Sequence, residues 1–516
     1  MDISRAGPRT PIVVAGAAAV FAGGLNPIVY DEALSSLELA SRLRPELESI
    51  FLLSIVVSAS MYLVGGLLGD VLGRRRVLLA GLVALAAANL ASLLTDHTVF
   101  VLTRLAAAGA VGLVIPVSIA MLAVPFRSDV RAVTLSIGFA ALGLGGAISV
   151  VLLAAATPLV GYWPSLSLVT VAATVAFYVA RRSLPSDDVT QRARFGEIGA
   201  HVMWAFGLLA ITASVIGLGG RAEPLRFGLG LFGAVAVLYA LRRLRGQAPP
   251  GRDVSVHLRP VAFALIAGVA LAFAQAAPLF LLPKYLRYVE GYGAALATLA
   301  LLPLVLGFIV AGPIAGSLIT RYSPRALIAG SLVGLGLADI AVAVIAVSAG
   351  ESFSGLLLAA LPLLAIGSGF IVGTSIRTAV IFASVPRRLP STAAALNQTS
   401  ILVGAQLGVL VLTTVVGRTA LSAYRASVET ADPAAVEAAV SAFERLLRAI
   451  ETPEFAPIVA SLSPDQIERY SAAFASGIGS GLLAAGLLAL AGAAVTWFGM
   501  SLDDPLMLRW GYRDEA

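Results

Sequence analysis

The chain has 516 residues, 59% of them hydrophobic and only 12% charged, about half the charged share of a soluble protein. With a mean hydropathy of +0.93, that balance excludes a water-soluble globule and points to a polytopic membrane protein. The net charge of +6 does not indicate nucleic acid, because the arginines fall at the ends of apolar runs and not in one stripe.

Cysteine is absent, which excludes disulfides and thiolate metal sites. His97, His201 and His257 are scattered and form no metal-ligand spacing with carboxylates. No P-loop and no strand-led glycine fingerprint is present, so no nucleotide, cofactor or metal is expected.

Fourteen apolar segments follow one another at roughly 11–31, 50–69, 77–94, 98–123, 132–155, 162–180, 198–219, 225–241, 260–282, 294–319, 325–347, 354–379, 391–417 and 472–500. Most approach the ~20 residues that cross a bilayer. Inside lipid every backbone group must bond within its own segment, so each is predicted to be a helix. The first is too long for a signal-peptide core and reads as a span. If the N-terminus is cytoplasmic, the cytoplasmic segments hold 22 basic residues and the short outside segments six. The positive-inside rule then places both termini in the cytoplasm.

Residues 66–76, GLLGDVLGRRR, form the short polar break between the second and third segments. Gly316, Thr320, Arg321, Ser323 and Arg325 are a worn copy of Gly66, Asp70, Val71, Gly73 and Arg75, each exactly 250 residues on. Such an internal repeat is a mark of membrane transporters.

The stretch 418–470 is the one sizeable outside loop. Asp432-Pro433 and Ser463-Pro464-Asp465-Gln466 are predicted helix starts, the second as a capping box. Between them, Val436, Val440, Phe443 and Leu447 fall on one helical face. This helix is expected over the outer mouth or on the lipid surface.

The spacing G-x-x-x-D-x-x-G-R-R at Gly66, Asp70, Gly73, Arg74 and Arg75 resembles the signature loop of the major facilitator superfamily. The chain as a whole resembles that superfamily's fourteen-span drug:proton antiporters. The implied fold is an all-α polytopic membrane protein with two six-helix bundles and two extra linker helices. The expected domains are 1–180, a linker with two spans at 181–259, and 260–516 with the outside loop. In the resemblance Asp70 and the arginines act as a gating motif; Val71 replaces the family's usual basic residue. Arg74 to Arg76 also read as plain positive-inside anchors.

The stretch 25–37, LNPIVYDEALSSL, is similar to the family's first-span pattern L-D-x-T-I-V-N-V-A-L-P-x-I. Asn26 stands where the family has its membrane aspartate, and it cannot ionise. Asp31 and Glu32 are therefore the proton-carrying candidates of this span, or they mark its outer end in water. Arg104 and Pro116 match the family's R-x-x-Q-G…P spacing, with Ala107 and Ala108 in place of Gln and Gly. Arg104 is about six residues inside the outer end, roughly 9 Å deep. The resemblance makes it the partner of a proton-carrying acid; the alternative is snorkelling to the outer surface.

Segment 5 keeps Gly138, Gly143, Gly145 and Gly146 but lacks the family's Gly-Pro pair. Asp339 is the one acid well inside a span, which makes it a functional candidate. Arg377, near the cytoplasmic end of its span, is expected to snorkel. Asn26, Asn89, Gln275, Asn397, Gln398 and Gln406 either line a central cavity or bond helix to helix.

The resemblance implies a secondary transporter of the cell membrane that exports hydrophobic or cationic small molecules against inward proton flow. Its partners would be the small-molecule substrate, protons and the lipid bilayer, with the protein a monomer and not an enzyme. Asn26 and the missing Gly-Pro pair keep open a facilitator or an exporter of a lipid or metabolite with little proton coupling. A non-transporting sensor or assembly protein is the reading from another class.

Overall fold

The computed structural model describes residues 10–35, 54, 57–58, 60–93, 97–126, 128–160, 163–185, scattered positions between 203 and 239, 258–319, 321–348, 353–384, 390–428, 432–450 and 455–500. Among these the chain forms helices joined by turns, with no strand.

The first group is α1 (Thr10–Ser35), α2 (Ser60–Leu72), α3 (Arg74–Ala91), α4 (His97–Ala123), α5 (Ser128–Val160) and α6 (Trp163–Ser183). The second is α7 (Leu258–Tyr288), α8 (Ala294–Leu299), α9 (Leu302–Leu318), α10 (Pro324–Ser348), α11 (Phe353–Ser384) and α12 (Pro390–Ser427). Then come α13 (Pro433–Ala449), α14 (Phe455–Ala460) and α15 (Pro464–Gly499). The expected segments 198–219 and 225–241 lie almost wholly outside the described residues.

The expected segment 294–319 is one apolar run but two helices. The break at Ala300 and Leu301 puts Pro303 in the first turn of α9, where its missing N–H leaves no bond unmade. Pro116, Pro278, Pro283 and Pro362 lie inside unbroken helices, as membrane helices tolerate when neighbours satisfy the freed carbonyls.

α1 packs on α4, α5 and α6, and α3 on α4 and α6. In the second group α7 packs on α10, α11, α12 and α15, α9 on α11, and α10 on both α11 and α15. The two groups meet along α5 with α9 and α11, and along α4 with α12. Alanine and glycine fill these contacts, as expected where dispersion drives helix association in lipid. The segment 5 glycines serve this packing. Gly143 lies against Phe308 of α9, and Gly145 against the backbone of Phe21 and Leu25 in α1. The outward faces are apolar: Leu361 is 75% exposed and Phe498 82%. Lipid accepts such a surface and water penalises it.

The stretch 418–470 is helical over most of its described residues. Asp432 accepts a bond from the Ala434 N–H, and Ser463 and Gln466 form the reciprocal capping box. The amphipathic α13 turns Phe443 and Leu446 onto Ala420 and Tyr424 of α12 and Tyr470 and Ala473 of α15. Tyr424, Phe443 and Tyr470 form an aromatic cluster with ring centroids 4.6 to 4.9 Å apart. Phe455 of α14 meets Tyr288 of α7 edge to face.

Candidate functional site

The GLLGDVLGRRR break turns the chain from α2 into α3. Gly73 holds φ at 108°, a left-handed conformation that a side chain would strain. Asp70 is buried, and its Oδ1 accepts the Ser391 N–H at 3.1 Å. Ser391 is in the first turn of α12, so the carboxylate meets the positive end of a helix from the other bundle. The close approach needs Gly66, where a Cβ would lie 2.5 Å from the Ser391 carbonyl oxygen and 2.7 Å from the Ala395 methyl.

The worn copy makes the mirror contact. At Gly316 of α9 a Cβ would lie 2.6 Å from Val133 Cγ2 of α5. Each repeat glycine thus seats a helix of the opposite bundle. The arginines obey the same symmetry. Arg75 donates to the Arg181 carbonyl at the end of α6, at 2.8 Å. Arg325 donates to the carbonyls of Trp497 and Met500 at the end of α15, at 3.4 and 3.5 Å. Both guanidinium groups face the negative end of a neighbouring helix. Arg74 is half-buried and Arg76 exposed.

Inside the first bundle the structure brings together Asn26 of α1, Asn89 of α3 and Arg104 of α4, all buried. Asn89 donates to Asn26 Oδ1 at 3.2 Å, and Arg104 donates to Asn89 Oδ1 at 3.2 Å. Arg104 also donates to Ser92 Oγ, and its guanidinium lies 5.5 Å from the Phe100 ring centre. Arg104 therefore points into its bundle and does not snorkel. The side chains of Asp31 and Glu32 lie outside the described residues.

In the second bundle Asp339 of α10 is fully buried, and neither carboxylate oxygen has a hydrogen-bond partner. It continues the stripe Ser331–Leu335, whose atoms lie against Gly369 and Gly373 of α11. Asp339 and Arg104 are in different bundles and do not pair. Asp339 stands 250 residues after Asn89, the same offset as the loop repeat. The sequence held that signal: the second half carries an acid where the first carries a neutral amide.

Arg377 corrects an expectation. It is fully buried, not snorkelling. Its Nη1 donates to the Ala264 carbonyl at 3.3 Å and to Ser400 Oγ at 2.9 Å, and its Nη2 to the Asn397 carbonyl at 3.1 Å. Bonds to α7 and α12 hold it inside the bundle, leaving no path for the side chain to reach the surface. Asn397 in turn donates to Gln398 Oε1 at 3.3 Å. Gln275 lies half-buried on α7.

Residues 12–409 match the Major Facilitator Superfamily. The chain belongs to that superfamily. This makes it a multi-pass membrane transporter. It is 26% identical over 374 residues to the tetracenomycin C resistance and export protein of Streptomyces glaucescens, covering 70% of this chain and 66% of that one, just under two thirds. It is 29% identical over 396 residues to the puromycin resistance protein of Streptomyces alboniger, covering 74% and 76%. The methyl viologen resistance protein SmvA of Salmonella typhimurium is 26% identical over 395 residues, covering 72% and 74%. Among solved structures, the proton:xylose symporter XylE aligns with a TM-score of 0.58 at 12% identity, over 96% of each chain. The human organic anion transporter MFSD10 aligns with a TM-score of 0.60 at 13% identity, over 95% of this chain and 99% of that one. At such identities these two major facilitator structures share the fold alone.

Proposed function

We propose that the chain is a proton-coupled exporter of hydrophobic or cationic small molecules, working by alternating access. The rocking units are residues 1–180 and 260–516, joined by a linker with two further spans at 181–259. The protein works as a monomer in the cell membrane with both termini cytoplasmic. The resistance and export proteins it resembles support export as the direction.

The observation that carries the reading is the bond between Asp70 and the N-terminus of α12. It ties the bundles together on the side where the basic residues gather, so α2 and α12 must part for substrate to enter from the cytoplasm. Asp339 supplies the coupling group. It is an acid buried within a span, and neither of its oxygens has a hydrogen-bond partner. Asn26, Gln275, Asn397 and Gln398 are cavity candidates, Arg104 a positioning group, and Asp31 and Glu32 further proton carriers.

Flux of methyl viologen, puromycin or a fluorescent lipophilic cation into proteoliposomes under an imposed pH gradient tests the reading. Gradient-dependent accumulation is expected. Flux that ignores the gradient would favour a facilitator or weakly coupled exporter, which the neutral Asn26–Asn89 pair supports.

A further inference from the structure

Arg377 is a full positive charge in the interior of the second bundle, and every hydrogen bond it makes goes to a neutral acceptor. Its Nε has no hydrogen-bond partner. An arginine kept in a membrane interior is costly unless paired, and this one is given room. A Cβ at Gly268 of α7 would overlap the guanidinium, so α7 carries a glycine where the charge sits.

Two neighbouring groups are also unspent. The hydroxyl of Thr374 is buried with no hydrogen-bond partner, and so is Asn397 Oδ1. Thr374 precedes Arg377 by three residues and shares its helix face. Asn397 is beside the guanidinium through its own carbonyl. Buried polar atoms without partners are uncommon in native proteins, and here three fall on Arg377 itself, on the residue one turn before it, and on a residue whose carbonyl it bonds.

We propose that Arg377, Thr374 and Asn397 form an anion-accepting site. It takes an oxyanion on the guanidinium Nε and the Thr374 hydroxyl, with an adjacent hydroxyl given to Asn397 Oδ1. The preferred ligand class is a hydroxylated organic acid or phenolate, such as an ortho-hydroxybenzoate. Gln398 marks the way in. It is bonded by Asn397 and continues the stripe of Ser391 and Ala395 that lies against Gly66 of α2. When α2 and α12 separate, that stripe is uncovered toward the cytoplasm. The site extends the cargo beyond cations, and it requires only that the chain is a transporter, not that protons drive it.

Binding of salicylate, phosphate and chloride to the protein in nanodiscs is measured by thermal shift. Salicylate is expected to protect wild type, about tenfold more weakly in Arg377→Lys and not at all in Arg377→Gln. Protection by salicylate alone assigns the site to an organic acid, and protection by phosphate or chloride as well assigns it to free inorganic anions. Equal protection of wild type and Arg377→Gln by every anion, or protection of neither, would overturn the proposal.

If Arg377→Gln does not fold, the cysteine-free chain allows a second measurement. Ser400→Cys should react with an anionic methanethiosulfonate from the cytoplasmic side about tenfold faster than with a cationic one. A cationic preference, or no reaction with either reagent, would equally count against the site.

Discussion

Asp339 and Asn89 differ by one oxygen-for-nitrogen exchange at matching places in the two repeats. Asn89 is tied to α1 and α4, whereas the Asp339 carboxylate makes no hydrogen bond. Asp339→Asn is therefore expected to leave a folded protein whose substrate flux no longer responds to a pH gradient. Flux assays with and without the gradient check this, and an unchanged response would remove Asp339 from the coupling role. Gly268→Ala forces a methyl into the Arg377 guanidinium, so stability should fall by an amount typical of overpacking, ~1–3 kcal/mol, seen as a lower thermal midpoint.

At this scale the sequence was informative about types and weak about surroundings. A lone acid in a span was visible as a candidate. That Arg377 turns inward was not, because inward and outward rotations of α11 leave the same residue near the same membrane depth. Asn89 and Arg104 were each visible, but their meeting depends on how α3 and α4 face each other.

At the scale of elements, α2 with α12 and α9 with α5 are the repeated inter-bundle contacts, each seated by a repeat glycine. Asp70→Asn removes the charge from the bond to the α12 N-terminus, a loss of ~0.3–2 kcal/mol. The cytoplasmic side should then open more often. Cysteine placed at Ala395 should be labelled from the cytoplasm several times faster in Asp70→Asn than in the parent. Equal labelling would show that this contact does not hold the side closed.

Helix α13 makes a separate prediction. Phe443 is 1% exposed in its aromatic cluster, and Phe443→Ala should cost ~3–5 kcal/mol of local stability. Hydrogen exchange should rise in 433–449 and leave α7 unchanged. The loop's helix starts were legible because caps are local chemistry, carried by Asp432 and by Ser463 with Gln466. The lengths of α12 and α15 were not, because both continue beyond their apolar windows, where Tyr424 and Tyr470 pack on Phe443 of α13. The break between α8 and α9 was likewise hidden inside one apolar run.

For the whole molecule, the 250-residue repeat carried most of the architecture, since two copies of one loop imply two related bundles. The arginines repeat as well, with Arg75 and Arg325 each closing the carbonyl end of its bundle's last helix. What the sequence could not supply is the cargo, because a pocket built by many helices depends on the rotation of each. Major facilitator membership fixes a transporter, and the proposal of coupled export rests on the Asp70 bond to α12 and the buried Asp339 carboxylate.

The most direct test places a pH-sensitive dye inside proteoliposomes whose protein has its cytoplasmic face outward. With no imposed gradient, an organic cation such as methyl viologen is then added outside. Inward movement of the cation should drive protons out and make the lumen alkaline in wild type, with no such change in Asp339→Asn. Cation uptake by wild type with no change in lumenal pH would contradict proton-coupled export.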